Sequence, residues 1–304
     1  MVSPDSGMPR SSGFPHGTAL KRVSDPTRFM DNAHRIAPVD QDTTSAASFF
    51  GAAAAPSPGA AASSPSETAA ASSFGAAAAA YERGRPPYPE TALDFLLPAG
   101  RPRVLDLGAG TGKLTRQIRD RGLDVLAVDP SEGMLGELRR ALPDISAQIG
   151  TAEHIPLPDA SVDVVLVAQA WHWIDPARAI PEIARVLTPT GRLGLIWNLR
   201  DERTDWVHRL GNIIGREDRY RDITMGPPFG PVTTSTFGWT HNMRPAELLD
   251  LVASRSRLIL MPADERAAVL AQVRQLSATH PTLLGRDAYA LPYRTQCAYA
   301  DLQP

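Results

Sequence analysis

Two rhythms of apolar and polar positions run through the chain from about residue 81 onward, and neither is present before it. Short apolar runs recur as RVLDLG (103–108), DVLAVD (124–129), ISAQIG (145–150), SVDVVLVAQA (161–170) and GRLGLIW (191–197), and each predicts a strand. The fourth is almost wholly apolar, as a strand buried on both faces should be. Between these runs the apolar residues recur every three or four positions. PETALDFLL (89–97), TGKLTRQIRDRG (111–122), SEGMLGELRRAL (131–142) and DPARAIPEIARVL (175–187) therefore predict helices. Pro98 stops the first, Leu114 and Ile118 stand at i, i+4 in the second, and Gly122 caps its end. Ser131 is suited to be the N-cap of the third, and Pro181 predicts a kink or restart in the fourth. Strands alternating with helices predict a doubly wound α/β fold, with a parallel sheet covered on both faces.

Past residue 198 the rhythm weakens. AELLDLVASRS (246–256) and ADERAAVLAQVRQLSA (263–278) read as amphipathic helices, and YALPYRTQCAYADL (289–302) as a closing strand or hairpin. DITMGPPFGPVTTSTFGW (222–239) reads as a long loop with a strand near its end. This third of the chain is expected to complete the sheet edge and cover the site. Residues 1–72 differ again. Ala, Ser, Pro and Gly dominate there, a composition expected to be disordered, with too few large apolar groups to offset the entropy of ordering. SFFGAAAA (48–55) recurs as SFGAAAAA (73–80), which reads either as low-complexity drift or as a sign that the true start lies downstream. The folded domain is expected over 73–304, with a cofactor-binding core at about 100–200.

Composition narrows the chemistry. A net charge of -2 provides no basic stripe, so no nucleic-acid partner is expected. The single cysteine, Cys297, excludes an internal disulfide framework and a cysteine zinc cluster. The 7 histidines include no pair at i, i+3 or i, i+4, so no metal site is expected. The N-terminus lacks an apolar secretory core and no window approaches ~18 apolar residues, so a cytoplasmic protein without a membrane span is expected.

DLGAGTGK (106–113) places three glycines at alternate positions between a strand and a helix. A triphosphate-binding P-loop needs a glycine where Leu107 stands and a hydroxyl where Leu114 stands. The dinucleotide fingerprint needs its third glycine one residue later than Gly112. A short-chain hydride-transfer enzyme also needs a Tyr with a Lys four positions on, and the only lysines are Lys21 and Lys113. A phosphate-free ligand that needs close backbone approach remains, and an acid about 20 positions on can hold a ribose diol. Asp129 stands 23 after Asp106.

VLDLGAGTG (104–112) resembles motif I of the class I S-adenosylmethionine-dependent methyltransferases. More narrowly, the chain is similar to their ubiquinone/menaquinone-biosynthesis and trans-aconitate methyltransferase-like branch. FGAAAAAYERGRPPYP (74–89) resembles the segment that packs over the cofactor in that branch, and VLAVDPSEGML (125–135) resembles motif II. GTAEHIPLPDASVDVVLVAQAWHWID (150–175) and EIARVLTPTGRLGLIWN (182–198) resemble the later core motifs. The likeness covers about 73–200 well and the rest loosely. TPTG (188–191) stands where the family often has Pro-Gly-Gly.

The resemblance implies a Rossmann-like sheet of seven strands, the last antiparallel. It implies S-adenosyl-L-methionine as cofactor and in-line methyl transfer to a small-molecule acceptor. Asp106 would order the loop and the cofactor's amino-acid end, and Gly108, Ala109, Gly110 and Gly112 would shape that loop. Asp129 would hold the ribose, with Pro130 and Met134 in the same motif. Ala152 and Glu153 would stand at the adenine, although Glu153 reads equally as a solvated loop acid. Gln169 and Trp171 end the fourth strand beside the cleft. His172 is open to three roles: general base, ligand contact or structural hydrogen-bonder. Tyr81 and Arg85 would reach the methionyl carboxylate, or belong to a plain surface strap. Trp197 and Asn198 end the fifth strand. Lys113 reads as a solvated helix residue, because the first turn of a helix disfavours cations. A competing reading is a non-catalytic S-adenosylmethionine-binding partner on the same fold.

Overall fold

The computed structural model describes residue 82, residues 84–216 and residues 223–303. The tail (1–72), the second copy of the repeat and Tyr81 lie outside the described residues. Seven strands form one sheet: β1 Val104–Leu107, β2 Val125–Asp129, β3 Ser146–Ile149, β4 Val162–Ala168, β5 Leu187–Arg200, β6 Thr233–Met243 and β7 Tyr289–Asp301. Their order across the sheet is β3-β2-β1-β4-β5-β7-β6. The first five run parallel, with Val104 of β1 beside both Val125 and Val164, while β7 runs antiparallel to β5 and to β6. The winding therefore reverses at β1 and β4, the kind of switch point where open α/β sheets take ligands. Because β7 opposes both neighbours, β6 is parallel to β5, and its C-terminal end lies at the same edge of the sheet.

The helices are α1 Glu90–Leu96, α2 Lys113–Asp120, α3 Glu132–Ala141, α4 Pro176–Val186, α5 Asp205–Ile214, α6 Pro245–Ala253, α7 Ser256–Ile259 and α8 Ala263–Thr279. The Ser131 hydroxyl accepts from the Met134 amide, so the predicted N-cap of α3 is present. Pro181 does not interrupt α4. Its missing N–H would have bonded the Ala177 carbonyl, and Ala177 and Pro181 are both exposed. Water can serve that carbonyl while Ala179, Ile183 and Val186 stay buried on the opposite face.

The C-terminal third departs most from the sequence pattern. Of the two alternatives for 289–302 the strand is present, as one long β7, and the 246–256 helix is α6, ending at Ala253 before the short α7. The strand expected near residue 239 spans Thr233–Met243. It was hidden because it lies at the sheet edge and buries fully only Met243. Helix α5 has no counterpart among the predicted elements. Gly211 weakens its helical signal, yet an added Cβ there would meet Glu202 Oε1 at 2.4 Å, so close packing requires the glycine.

The core has three main parts. Leu105, Val165, Ile183 and Leu195 pack on one face of the sheet. Leu93, Leu114, Ile118 and Ile196 pack on the other. Trp206, Leu210, Leu248 and Tyr289 gather α5, α6 and β7 into a cap over the antiparallel end. Among the described residues no helix is long and apolar enough to cross a membrane.

Candidate functional site

Beyond β1 the chain must turn sharply to enter α2, and the glycines permit it. Gly108, Gly110 and Gly112 have φ of +76°, +57° and +86°, in the left-handed region that side chains disfavour. A Cβ on Gly108 would meet the Ala170 methyl at 2.8 Å, and one on Gly112 would meet Leu138 at 2.8 Å. A Cβ on Gly110 would meet nothing within 4 Å, so this part of the loop borders open space. The amides of Gly108 and Ala109 both donate to the Val128 carbonyl, at 2.8 and 3.1 Å.

Asp129 ends β2 and ties this loop down. Its Oδ2 accepts from the Gly110 amide and its Oδ1 from the Ser131 amide, each at 2.8 Å. Burial raises its pKa, and these two bonds oppose the rise. Asp106, in the middle of β1, is fully buried. Thr115 Oγ1 donates to its Oδ2 at 2.6 Å, while its Oδ1 has no partner. Burial pushes the Asp106 carboxyl up to about 7; the Thr115 bond holds it down and the Asp129 charge adds to the rise.

A cleft open to solvent at its mouth lies between this loop, the ends of β4 and β5, and the strap formed by residues 84–89. The strap is pinned along its length. Thr111 Oγ1 donates to Glu82 at 2.7 Å, and Lys113 and Arg116 pair with the same carboxylate. Arg85 donates to the Ser254 carbonyl at 3.3 Å, and Gln117 bonds both the amide and the carbonyl of Tyr88, at 2.8 and 2.7 Å. Lys113 is therefore not a solvated bystander. It lines the cleft, and Glu82, 31 positions upstream, supplies the charge that its place in the helix lacks.

The predicted residues divide into groups. Arg85, Asp106, Gly108, Ala109 and Gln169 line the cleft, together with Asn198. Gln169 holds a left-handed φ of +58°, rare for a side chain of its size, and its amide donates to the Asn198 carbonyl at 3.2 Å. Gly110, Gly112 and Asp129 build the loop beside the cleft. Met134 and Ala152 are buried, and Pro130 is exposed. Glu153 accepts from the Asp175 amide at 3.0 Å, so it braces the start of α4. Trp171 packs partly buried against the core, in the single 3₁₀ turn Trp171–Trp173. His172, in that turn, is exposed. Even so, desolvation by its surroundings, and then the Arg85 guanidinium, lower its pKa below the ordinary 6.5. Trp197 is fully buried in the core. Sequence reasoning missed Thr115, Gln117 and Glu82, whose partners lie 9 to 34 positions away on other elements with no motif to mark them.

Residues 105–195 match the family model described as "Methyltransferase domain". An uncharacterized methyltransferase of Mycobacterium tuberculosis is 61% identical over 225 residues, 73% of this chain and 93% of that one. An uncharacterized methyltransferase-like protein of Schizosaccharomyces pombe is 34% identical over 238 residues, 74% of this chain and 93% of its own. A demethylmenaquinone methyltransferase of Beutenbergia cavernae matches only 30% of this chain, at 41% identity. A solved structure from Anaeromyxobacter dehalogenans shares the fold, with a TM-score of 0.52 and 24% identity over 72% of this chain and 97% of its own. The glycine loop, the switch-point cleft and these relatives agree: the chain belongs to the class I S-adenosylmethionine-dependent methyltransferase family.

Proposed function

We propose that the protein binds S-adenosylmethionine in the cleft under the strap and transfers its methyl group to a small-molecule acceptor. One observation carries the reading: the buried Asp106 Oδ1 has no partner, and Asp106 lines a cleft whose glycine rim admits close backbone approach. A buried acceptor left unpaired is costly, and an ammonium donor from the ligand would relieve it. S-adenosylmethionine carries such an ammonium, and its sulfonium supplies an electrophilic methyl carbon.

The other groups fit the same ligand. Each Asp129 oxygen accepts one amide and retains a lone pair for a ribose hydroxyl. Arg85 lines the cleft and can meet a carboxylate. The strap covers one side of the cleft, and the rigid ends of β1, β4 and β5 can hold the reacting groups in line. His172, largely neutral at pH 7 because its pKa is lowered, can take a proton from an acceptor hydroxyl. The partial match to a demethylmenaquinone methyltransferase supports a small organic acceptor.

Calorimetry with S-adenosylmethionine tests the reading. Wild type should bind in the micromolar range, and Asp129→Ala should bind at least about 10-fold more weakly, roughly 1.4 kcal/mol. No heat from the wild type overturns the cofactor; equal affinities overturn the role of Asp129.

A further inference from the structure

Asn198 sits where four parts of the fold meet. Its Nδ2 donates to the Pro87 carbonyl of the strap at 2.9 Å, and its own carbonyl accepts from Gln169 at the end of β4. Its Oδ1 accepts from Thr295 Oγ1 of β7 at 2.5 Å, and Thr295 accepts from Trp239 Nε1 of β6 at 2.8 Å. Asn198 and Thr295 are both buried, so no water competes for these bonds.

Chemistry forces the direction of this relay. An indole N–H can only donate, so Thr295 must accept from Trp239. A hydroxyl has one proton, and that proton goes to Asn198. The amide oxygen of Asn198 is thereby assigned to Thr295, and its NH₂ is turned toward Pro87. The Pro87 carbonyl can only accept, so the amide in this orientation binds the strap, whereas the flipped amide would set oxygen against oxygen.

We propose that Thr295 is a positioning residue for the cofactor site. By fixing the orientation of the Asn198 amide, it holds the strap over the cleft and couples β6 and β7 to cofactor binding. The coupling to the cofactor rests on the function proposed above; the grip on the strap does not. Without the Thr295 hydroxyl, Asn198 Oδ1 is left buried and unpaired and Trp239 Nε1 loses its partner, so the bond from Asn198 to Pro87 loses its support and the strap is held less firmly at that point.

Hydrogen exchange of the Tyr88 amide reports the strap, because its neighbours Pro86, Pro87 and Pro89 carry no N–H. Thr295→Val should speed that exchange about 10-fold and weaken S-adenosylmethionine binding about 5-fold, since the buried bond to Asn198 and the half-buried one from Trp239 are both lost. Thr295→Ser, which keeps the hydroxyl, should stay within about 2-fold of wild type in both. Trp239→Phe leaves the Thr295–Asn198 bond in place and should speed exchange less than about 3-fold. If valine prevents folding, Thr295→Ala removes the same hydroxyl without overpacking. Tyr88 exchange that is unchanged in the folded valine or alanine variant, or a serine variant that behaves like valine, overturns the proposal. If wild type shows no calorimetric heat, the cofactor reading fails while the exchange result still decides the relay.

Discussion

The glycine loop and the Asn198 relay border the same cleft but are built in opposite ways. The loop's bonds span short stretches of chain: Thr115 reaches Asp106 across 9 positions, and Gly110 reaches Asp129 across 19. The relay's bonds join residues 56, 97 and 111 positions apart. Parallel strands linked by short crossovers bring motif residues together at one edge almost automatically. The antiparallel end of the sheet assembles its polar contacts only once distant strands have paired. The glycine-loop half is accordingly written in compact motifs, and the half beside it in single residues that carry no local signal.

This difference can be tested from the largest effect down. Trp206 is almost fully buried in the cap core, away from the loop, and Trp206→Ala should cost about 3–5 kcal/mol in urea unfolding. The folded protein should nevertheless bind S-adenosylmethionine within about 3-fold of wild type, because distant sites act independently. A loss of affinity as large as that of Asp129→Ala would mean that the two halves are not separable.

The next effect sharpens the account of the loop. Asp106 has a folded pKa of about 7, above its unfolded value of 3.8. For a carboxyl whose pKa is raised by folding, stability is greatest below the unfolded pKa, falls as pH rises between the two, and levels off above 7. Asp106→Asn, neutral at every pH, should flatten the Asp106 part of that fall in urea titrations between pH 4 and 8. Cofactor affinity should move the other way. If the ionised carboxylate receives the ammonium, wild type should bind about 10-fold more tightly at pH 8 than at pH 6, and the Asn variant should lose that dependence. A variant that kept it would assign the titration to another group.

The smallest effect concerns His172. It is exposed and stands outside the cleft wall, so His172→Ala should leave cofactor affinity within about 2-fold in the same calorimetry. A larger loss would move the histidine from the acceptor side to the cofactor.

Four of the five parallel strands and their helices were legible because each buries a continuous or periodic apolar set, so Val104, Leu114, Ile118 and Leu135 announce their own surroundings; β3, at the sheet edge, buries no residue fully. Strand β6 was read only in part, as a strand near the end of a loop, and helix α5 was not. The first is an edge strand with one solvated side, and the second contains a glycine that only the neighbouring Glu202 explains. Within the site, Asp106, the loop glycines and Asp129 were named from their place in the motifs that resemble the methyltransferase family. The ion pair of Lys113 with Glu82 and the bond of Glu153 to the Asp175 amide carried no signal in the sequence, because each partner lies on another element.

The amino-acid sequence by itself determined the parallel core and the glycine loop, which follow from periodicity and from glycines at set intervals, and its resemblance to the methyltransferase motifs pointed to the family. Only the tertiary structure decided how the strap is held, why Asp106 keeps a free buried oxygen, and how Thr295 reaches the cleft. Those depend on hydrogen-bond directions between residues brought together by long-range strand pairing, and no local pattern encodes them.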